Sequence, residues 1–95
     1  MFNKGNMTGM LKQAREIQKK IEDVQSELED LVVEADSGGG MVKVVSNGKQ
    51  EILDLTIDPE ALKEEKELLE DLIISAVNKA LTQSQEESQN RMNAV

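Results

Sequence analysis

The chain contains no cysteine, histidine, tryptophan or tyrosine, and its single aromatic residue is Phe2. Without cysteine there is no disulfide framework and no thiolate site for a metal. Without histidine the commonest general base and metal ligand is missing as well. Ser26, Ser46 and Ser75 therefore have no imidazole beside them to activate a hydroxyl. No apolar run approaches the roughly 20 residues that span a bilayer, and the first residues lack the hydrophobic stretch of a secretory signal. These absences predict a soluble cytoplasmic protein with no catalytic site, no metal and no cofactor.

What remains is 95 residues, 38% of them hydrophobic, enough for one small domain. A core of Leu, Ile, Val, Ala and Met alone is thin, and a second copy of the chain is a natural source of further burial. The net charge of −8 argues against a nucleic-acid partner only until its distribution is read. Residues 1–20 hold five bases (Lys4, Lys12, Arg15, Lys19, Lys20) against Glu16, a balance of +4. The other 75 residues hold six bases and eighteen acids, a balance of −12. A basic interaction surface on an otherwise repelling body is the implication.

Residues 1–6 read as a mobile lead-in, with Asn6 or Thr8 as a candidate cap. Met7, Met10, Ala14, Ile17, Ile21, Val24, Leu28 and Leu31 then fall at spacings of three and four, all at heptad positions a and d. This predicts a helix of about 24 residues, on the order of 36 Å long. Its narrow stripe suits a coiled-coil-like seam, and either the same chain or a second copy fits as its partner. Residues 31–58 read as three short antiparallel strands, with turns at SGGG and at Asn47-Gly48, residues that tolerate positive φ. Val42 and Val44 are expected on one face, and Met41, Val45, Leu53, Leu55 and Ile57 on the other, which would require cover on both. Asp58-Pro59-Glu60 opens a second helix that restarts near Lys63 to Lys66. Its stripe runs through Leu69, Leu72, Ile73, Ala76, Val77, Ala80 and Leu81; from Thr82 the stripe is lost, which predicts a fraying end and tail over 82–95. The expected fold is α+β: long helix, three-stranded meander, helix.

A phosphate-cradling glycine loop joins a strand to a helix, whose first amides point at the anion. Gly38, Gly39 and Gly40 lie between two predicted strands, with no Lys-Ser or Lys-Thr behind them, and so read as a turn. The acids Glu22, Asp23, Glu29, Asp30, Glu64, Glu65, Glu67, Glu70 and Asp71 fall on polar helix faces, and none has the spacing of a calcium loop.

The basic segment is the remaining chemical feature. Lys12 and Lys19 occupy heptad position f and Arg15 position b, opposite the apolar seam, where they can lie along a phosphate backbone. A solvated helix face with Lys12 paired to Glu16 accounts for the same residues. The acids beyond Glu22 begin roughly 15 Å from Lys12 along the axis, further than the Debye length of about 8 Å at physiological salt. With no aromatic platform for stacking single-stranded bases, duplex DNA is a better candidate than a single strand if the face binds nucleic acid. A protein-interaction module docking a partner through Met7 and Met10 is the alternative.

The GNM start with MLKQA, the GGGMVKV and NGK hairpin, the IDP turn and the LEDLI and AVN segments together resemble the YbaB/EbfC family of bacterial nucleoid-associated proteins, from about Gly5 to Leu81. The resemblance implies one DNA-binding dimerisation domain over residues 7–81, a tweezer-like homodimer around an antiparallel sheet, location in the cytoplasmic nucleoid, and an architectural or gene-regulatory role. It implies no enzymatic activity, no membrane and no small-molecule substrate. Carried over, the family's basic first helix falls on Lys12, Arg15, Lys19 and Lys20, with Lys4 before them. The C-terminal helix departs from the family pattern: QSQEESQNRMNAV offers only Arg91 against Glu86 and Glu87.

Overall fold

The computed structural model describes residues 4–94, with side chains described from residue 7. Helix α1 spans Lys4–Asp30; strands β1 (Val32–Ser37), β2 (Val42–Asn47) and β3 (Ile52–Ile57) follow. A 3-10 turn at Pro59–Lys63 leads into helix α2, Lys66–Asn93. The α+β order read from the sequence is therefore the order observed. The strands pair antiparallel in the sequence β1-β2-β3.

Directly opposed residues of antiparallel strands point to the same face. Ser37, Val42 and Ile57 form one row, and Ala35, Val44 and Leu55 the next. Leu55 and Ile57 thus share the face of Val42 and Val44, contrary to the expectation that set them on opposite faces. The register shift at Val45/Ser46 explains part of this: Ser46 pairs with Ile52 rather than Leu53, so simple alternation cannot be carried through β3. The opposite face holds Glu34, Val45 and Asp54 in one row and Asp36, Lys43 and Thr56 in another. Being mostly polar, it does not need the cover that two apolar faces would.

α2 lies over β1 and β2 rather than β3. Ala76 and Ala80 are fully buried in one cluster with Val42 and Val44, and Leu69, Leu72, Ile73, Val77 and Ile57 pack around them; Ser84, four residues on, is fully buried as well. Small side chains at this contact let helix and sheet approach closely. Asp58 caps the 3-10 turn, its Oδ1 accepting from the Glu60 N–H at 2.9 Å. The chain then breaks at Glu64–Glu65 and restarts as α2, as the sequence suggested.

Four other expectations are revised. α1 already begins at Lys4, so neither Asn6 nor Thr8 is its cap, and residues 1–3 of the expected lead-in lie outside the described residues. The turn after β2 places its positive φ on Gln50 (62°), not on Asn47 or Gly48. Gly48 is required for a different reason: a Cβ there would lie 2.8 Å from the Leu28 carbonyl oxygen. Finally, α2 continues through Asn93 where a fraying end from Thr82 was expected. It does so on polar contacts, which leave no hydrophobic stripe to read: Ser84 is buried, and Arg91 pairs with Glu27 of α1.

Candidate nucleic-acid interface

The base of α1 is held by a compact polar joint. The Gly48 N–H donates to the Leu28 carbonyl at 2.7 Å. Asn47 Oδ1 accepts from the N–H groups of Lys49 and Glu51, and its Nδ2 donates to Glu51 Oε1 at 2.8 Å. From α2, Ser84 Oγ donates to the Asn47 carbonyl at 2.7 Å and accepts from the Gln50 N–H at 3.0 Å. Two ion pairs, Lys49–Glu29 at 2.9 Å and Arg91–Glu27 at 3.4 Å, brace the same end of α1. The hydrogen bond and the charge of Glu29 raise Lys49 above its ordinary value of 10.5. Sequence reasoning identified the Asn47-Gly48 turn but not this joint, because nothing local marks Ser84 as buried.

Beyond this joint α1 stands alone. Val24 and Leu28 are buried, Ile21 is half-buried, and every residue from Met7 to Lys20 is exposed. The exposed arm from Met7 to Lys20 is about 20 Å long at 1.5 Å per residue. Lys12, Arg15 and Lys19 share one face of it, and all are exposed. From Lys12 to Lys19 is about 10 Å along the axis, roughly three base steps of B-DNA at ~3.4 Å each. Lys20 is exposed about a quarter turn round the helix, and Lys4 begins α1, its side chain outside the described set. Among the described residues none of Lys12, Arg15, Lys19 and Lys20 is in an ion pair, so the Lys12–Glu16 pair of the alternative, solvated-face reading is not formed. These cations are thus available to an external anion.

The cations of α2 are committed within the chain. Lys66 pairs with Glu70 at 3.8 Å, Lys79 Nζ donates to the Asp36 carbonyl at 3.2 Å, and Arg91 is held by Glu27. Gly38, Gly39 and Gly40, at φ of 61°, 66° and 97°, form the turn between β1 and β2 and so join two strands, not a strand to a helix. A depression of roughly 480 Å³ on the open sheet face is lined by Glu34, Asp36, Lys43 and Thr56 among others, with two carboxylates to one ammonium. Among the described residues no group of three or more His, Cys, Asp or Glu is arranged to hold a metal. No described helix is long and apolar enough to cross a membrane.

Comparison with known proteins gives the family of this helix–meander–helix chain. The model of the YbaB/EbfC DNA-binding family matches residues 3–95. The chain belongs to that family. A nucleoid-associated protein of Chlorobaculum parvum is 46% identical over 87 residues, covering 92% of this chain and 78% of the relative. A nucleoid-associated protein of Moorella thermoacetica is 51% identical over 83 residues, covering 86% and 80%. Among solved structures, an uncharacterized protein of Helicobacter pylori aligns with a TM-score of 0.76 at 29% identity, covering 95% of this chain and 92% of that one. The YbaB/EbfC match extends through the C-terminal half of α2, beyond the Gly5 to Leu81 stretch that carried the resemblance in the sequence.

Proposed function

We propose that this YbaB/EbfC chain binds duplex DNA in the bacterial nucleoid as a homodimer, through the outer face of α1, in an architectural or gene-regulatory role without catalysis. The observation that carries this reading is the arm itself. Three cations share one face of a helix that projects from an acidic body, and among the described residues none is in an ion pair. Lys12, Arg15 and Lys19 neutralise phosphates, Lys20 and Lys4 flank them, and binding is driven largely by counterion release. Phosphate contacts of this kind position a protein without reading base sequence.

Support for a second copy comes from the uncovered half of the sheet. Lys79, on one flank of α2, reaches Asp36 on β1, so the opposite flank with Ile74 and Leu81 is turned toward β3. Ile52 and Leu55 of β3 remain exposed, as does Ile74 on that flank of α2. The fully buried apolar core is almost entirely valine and alanine, little for a domain of this size. A helix from a second copy, laid beside α2 over β3, would bury both sets at once.

The test is fluorescence anisotropy of a labelled ~30 bp duplex titrated with the protein at several salt concentrations. The Lys12→Glu/Arg15→Glu/Lys19→Glu variant runs beside it, and the mass of both is checked. The expected result is salt-sensitive binding by the parent and none by a variant of unchanged mass. Equal binding by the variant would remove α1 as the site.

A further inference from the structure

We propose that the outer segment of α1, from Met7 to Ile17, pairs antiparallel with the same segment of a second copy, joining proteins arm to arm with their basic faces outward. The pairing is read independently of DNA binding. Only its consequence, the holding of two duplexes at once, rests on the function proposed above.

α1 carries one unbroken a/d series from Met7 to Leu31, yet the fold uses only its lower part. Val24 and Leu28 are 9% and 4% exposed, against 50%, 65% and 57% for Met7, Met10 and Ile17. The chain's own second helix does not cover them: Arg91, near its end, is already opposite Glu27, well below the exposed stretch. What flanks the seam restricts what can cover it. Within the segment positions e and g are Leu11 and Gln13, both uncharged, while Lys12, Arg15 and Glu16 lie at f, b and c; the charged g position, Lys20, lies beyond Ile17. Coiled-coil partners of different sequence are selected by charges at e and g. A seam without such charges has nothing to recruit a charged partner helix, and it meets its own copy without like-charge contact.

Side-chain size selects the direction. In a parallel pair Ala14 would oppose the partner's Ala14 and leave that layer underfilled. In the antiparallel register Met10 opposes the partner's Ala14, and Met7 opposes the partner's Ile17. Each Ala14 layer is then filled by a methionine, a side chain that adapts to irregular gaps. The same register brings Leu11 against the partner's Leu11 beside the two-fold axis. This accounts for an apolar residue at an e position that is 58% exposed in the single chain. Paired helix axes lie about 8–10 Å apart, so Lys12 and Lys19 of the two arms face opposite ways on a rod roughly 20 Å across. Such a rod presents two basic faces, one to each of two duplexes.

Because the chain lacks cysteine, Met10→Cys and Ala14→Cys each introduce a single thiol. The two full-length variants are mixed in equal amounts, oxidised mildly, and the products identified by intact mass. The expected product is predominantly the mixed Met10→Cys/Ala14→Cys disulfide, while a Lys12→Cys/Arg15→Cys mixture, on the outer face, stays at background. Predominant Met10→Cys homodisulfide, or cross-linking no faster than the outer-face control, overturns the proposal. Sedimentation provides the second measurement. The parent gains mass with concentration beyond the unit set by its body, and Met10→Gln/Ile17→Gln loses that gain while binding duplex within about twofold of the parent. A seam variant that still assembles like the parent also overturns it. Should the parent fail to bind duplex, the DNA reading falls, and the disulfide result still judges the arm pairing by itself.

Discussion

At Gly48 a hydrogen atom is the only substituent that fits, since the Leu28 carbonyl that accepts its N–H also occupies the space a Cβ would need. Gly48→Ala is expected to lower stability by about 1–3 kcal/mol, the usual cost of forced overpacking, as measured by urea unfolding. Ser84→Ala removes the donor to the Asn47 carbonyl and the acceptor of the Gln50 N–H at a fully buried position. It should cost about 1–3 kcal/mol, with thermal melting as the check. Gln50 holds a left-handed φ of 62° at a position where glycine would relax without strain. Relief of that strain exceeds the added freedom of the unfolded chain, so Gln50→Gly should gain roughly 0.5–1 kcal/mol. Lys49, raised above 10.5 by the Glu29 hydrogen bond and charge, gives a prediction of defined sign. Its contribution is complete below pH 10.5 and is lost as pH rises through the raised value. Above pH 10.5 the parent should therefore lose stability more steeply than Lys49→Gln, and parallel unfolding curves would exclude the pair as a contributor.

The two helices divide the work according to which of their charges are already engaged. On α1 the cations of the arm have no ion-pair partner among the described residues, whereas on α2 Lys66, Lys79 and Arg91 are all bound within the chain. Substituting Lys79 or Arg91 by Gln should change duplex affinity by no more than about twofold, against complete loss for the α1 triple variant. Arg91→Gln should also cost less than about 1 kcal/mol of stability, because its pair with Glu27 is exposed. A large loss of duplex binding on substituting either α2 cation would show that α2 reaches the DNA after all. Element order was legible because each period is local: a and d spacing for α1, glycines and Asn-Gly around short β-branched runs, and Asp-Pro before α2. The second half of α2 was not legible. Its contacts are polar and long-range, from Ser84 to the β2–β3 turn and from Arg91 to α1, so no apolar stripe records them.

At the scale of the whole molecule, the shape is far from compact. The chain measures 73 × 19 × 17 Å with a radius of gyration of 20.5 Å, against about 12 Å for a globular domain of this length. The excess is the arm, which carries the positive charge away from the acidic body. Two arms with three phosphate contacts each should give a slope of about −5 for log affinity against log salt. A slope near −2.7, or about half of that, would mean that only one arm engages. The exposed strip formed by Ile74, Ile52 and Leu55 leads to a separate expectation. Sedimentation of the parent should give about twice 10.5 kDa at low concentration, and Ile74→Glu should shift it toward the monomer with a lower melting temperature. A parent that sediments as a monomer would remove the homodimer from the proposed function.

The sequence by itself determined the elements, their order, the seam of α1, and the gathering of positive charge into the first twenty residues. All of these depend on neighbours a few positions apart, where helical and strand periodicities act directly. Only the tertiary structure decided which part of the seam is buried, which face of β3 turns inward, where the strained turn residue falls and how far α2 continues. Those outcomes depend on contacts between residues more than thirty positions apart, Ser84 with Asn47 and Arg91 with Glu27 among them. The same distinction applies to the candidate site. Lys12, Arg15 and Lys19 could be placed on one helix face from spacing alone, but that they have no ion-pair partner among the described residues depended on where the acids lie in the folded chain.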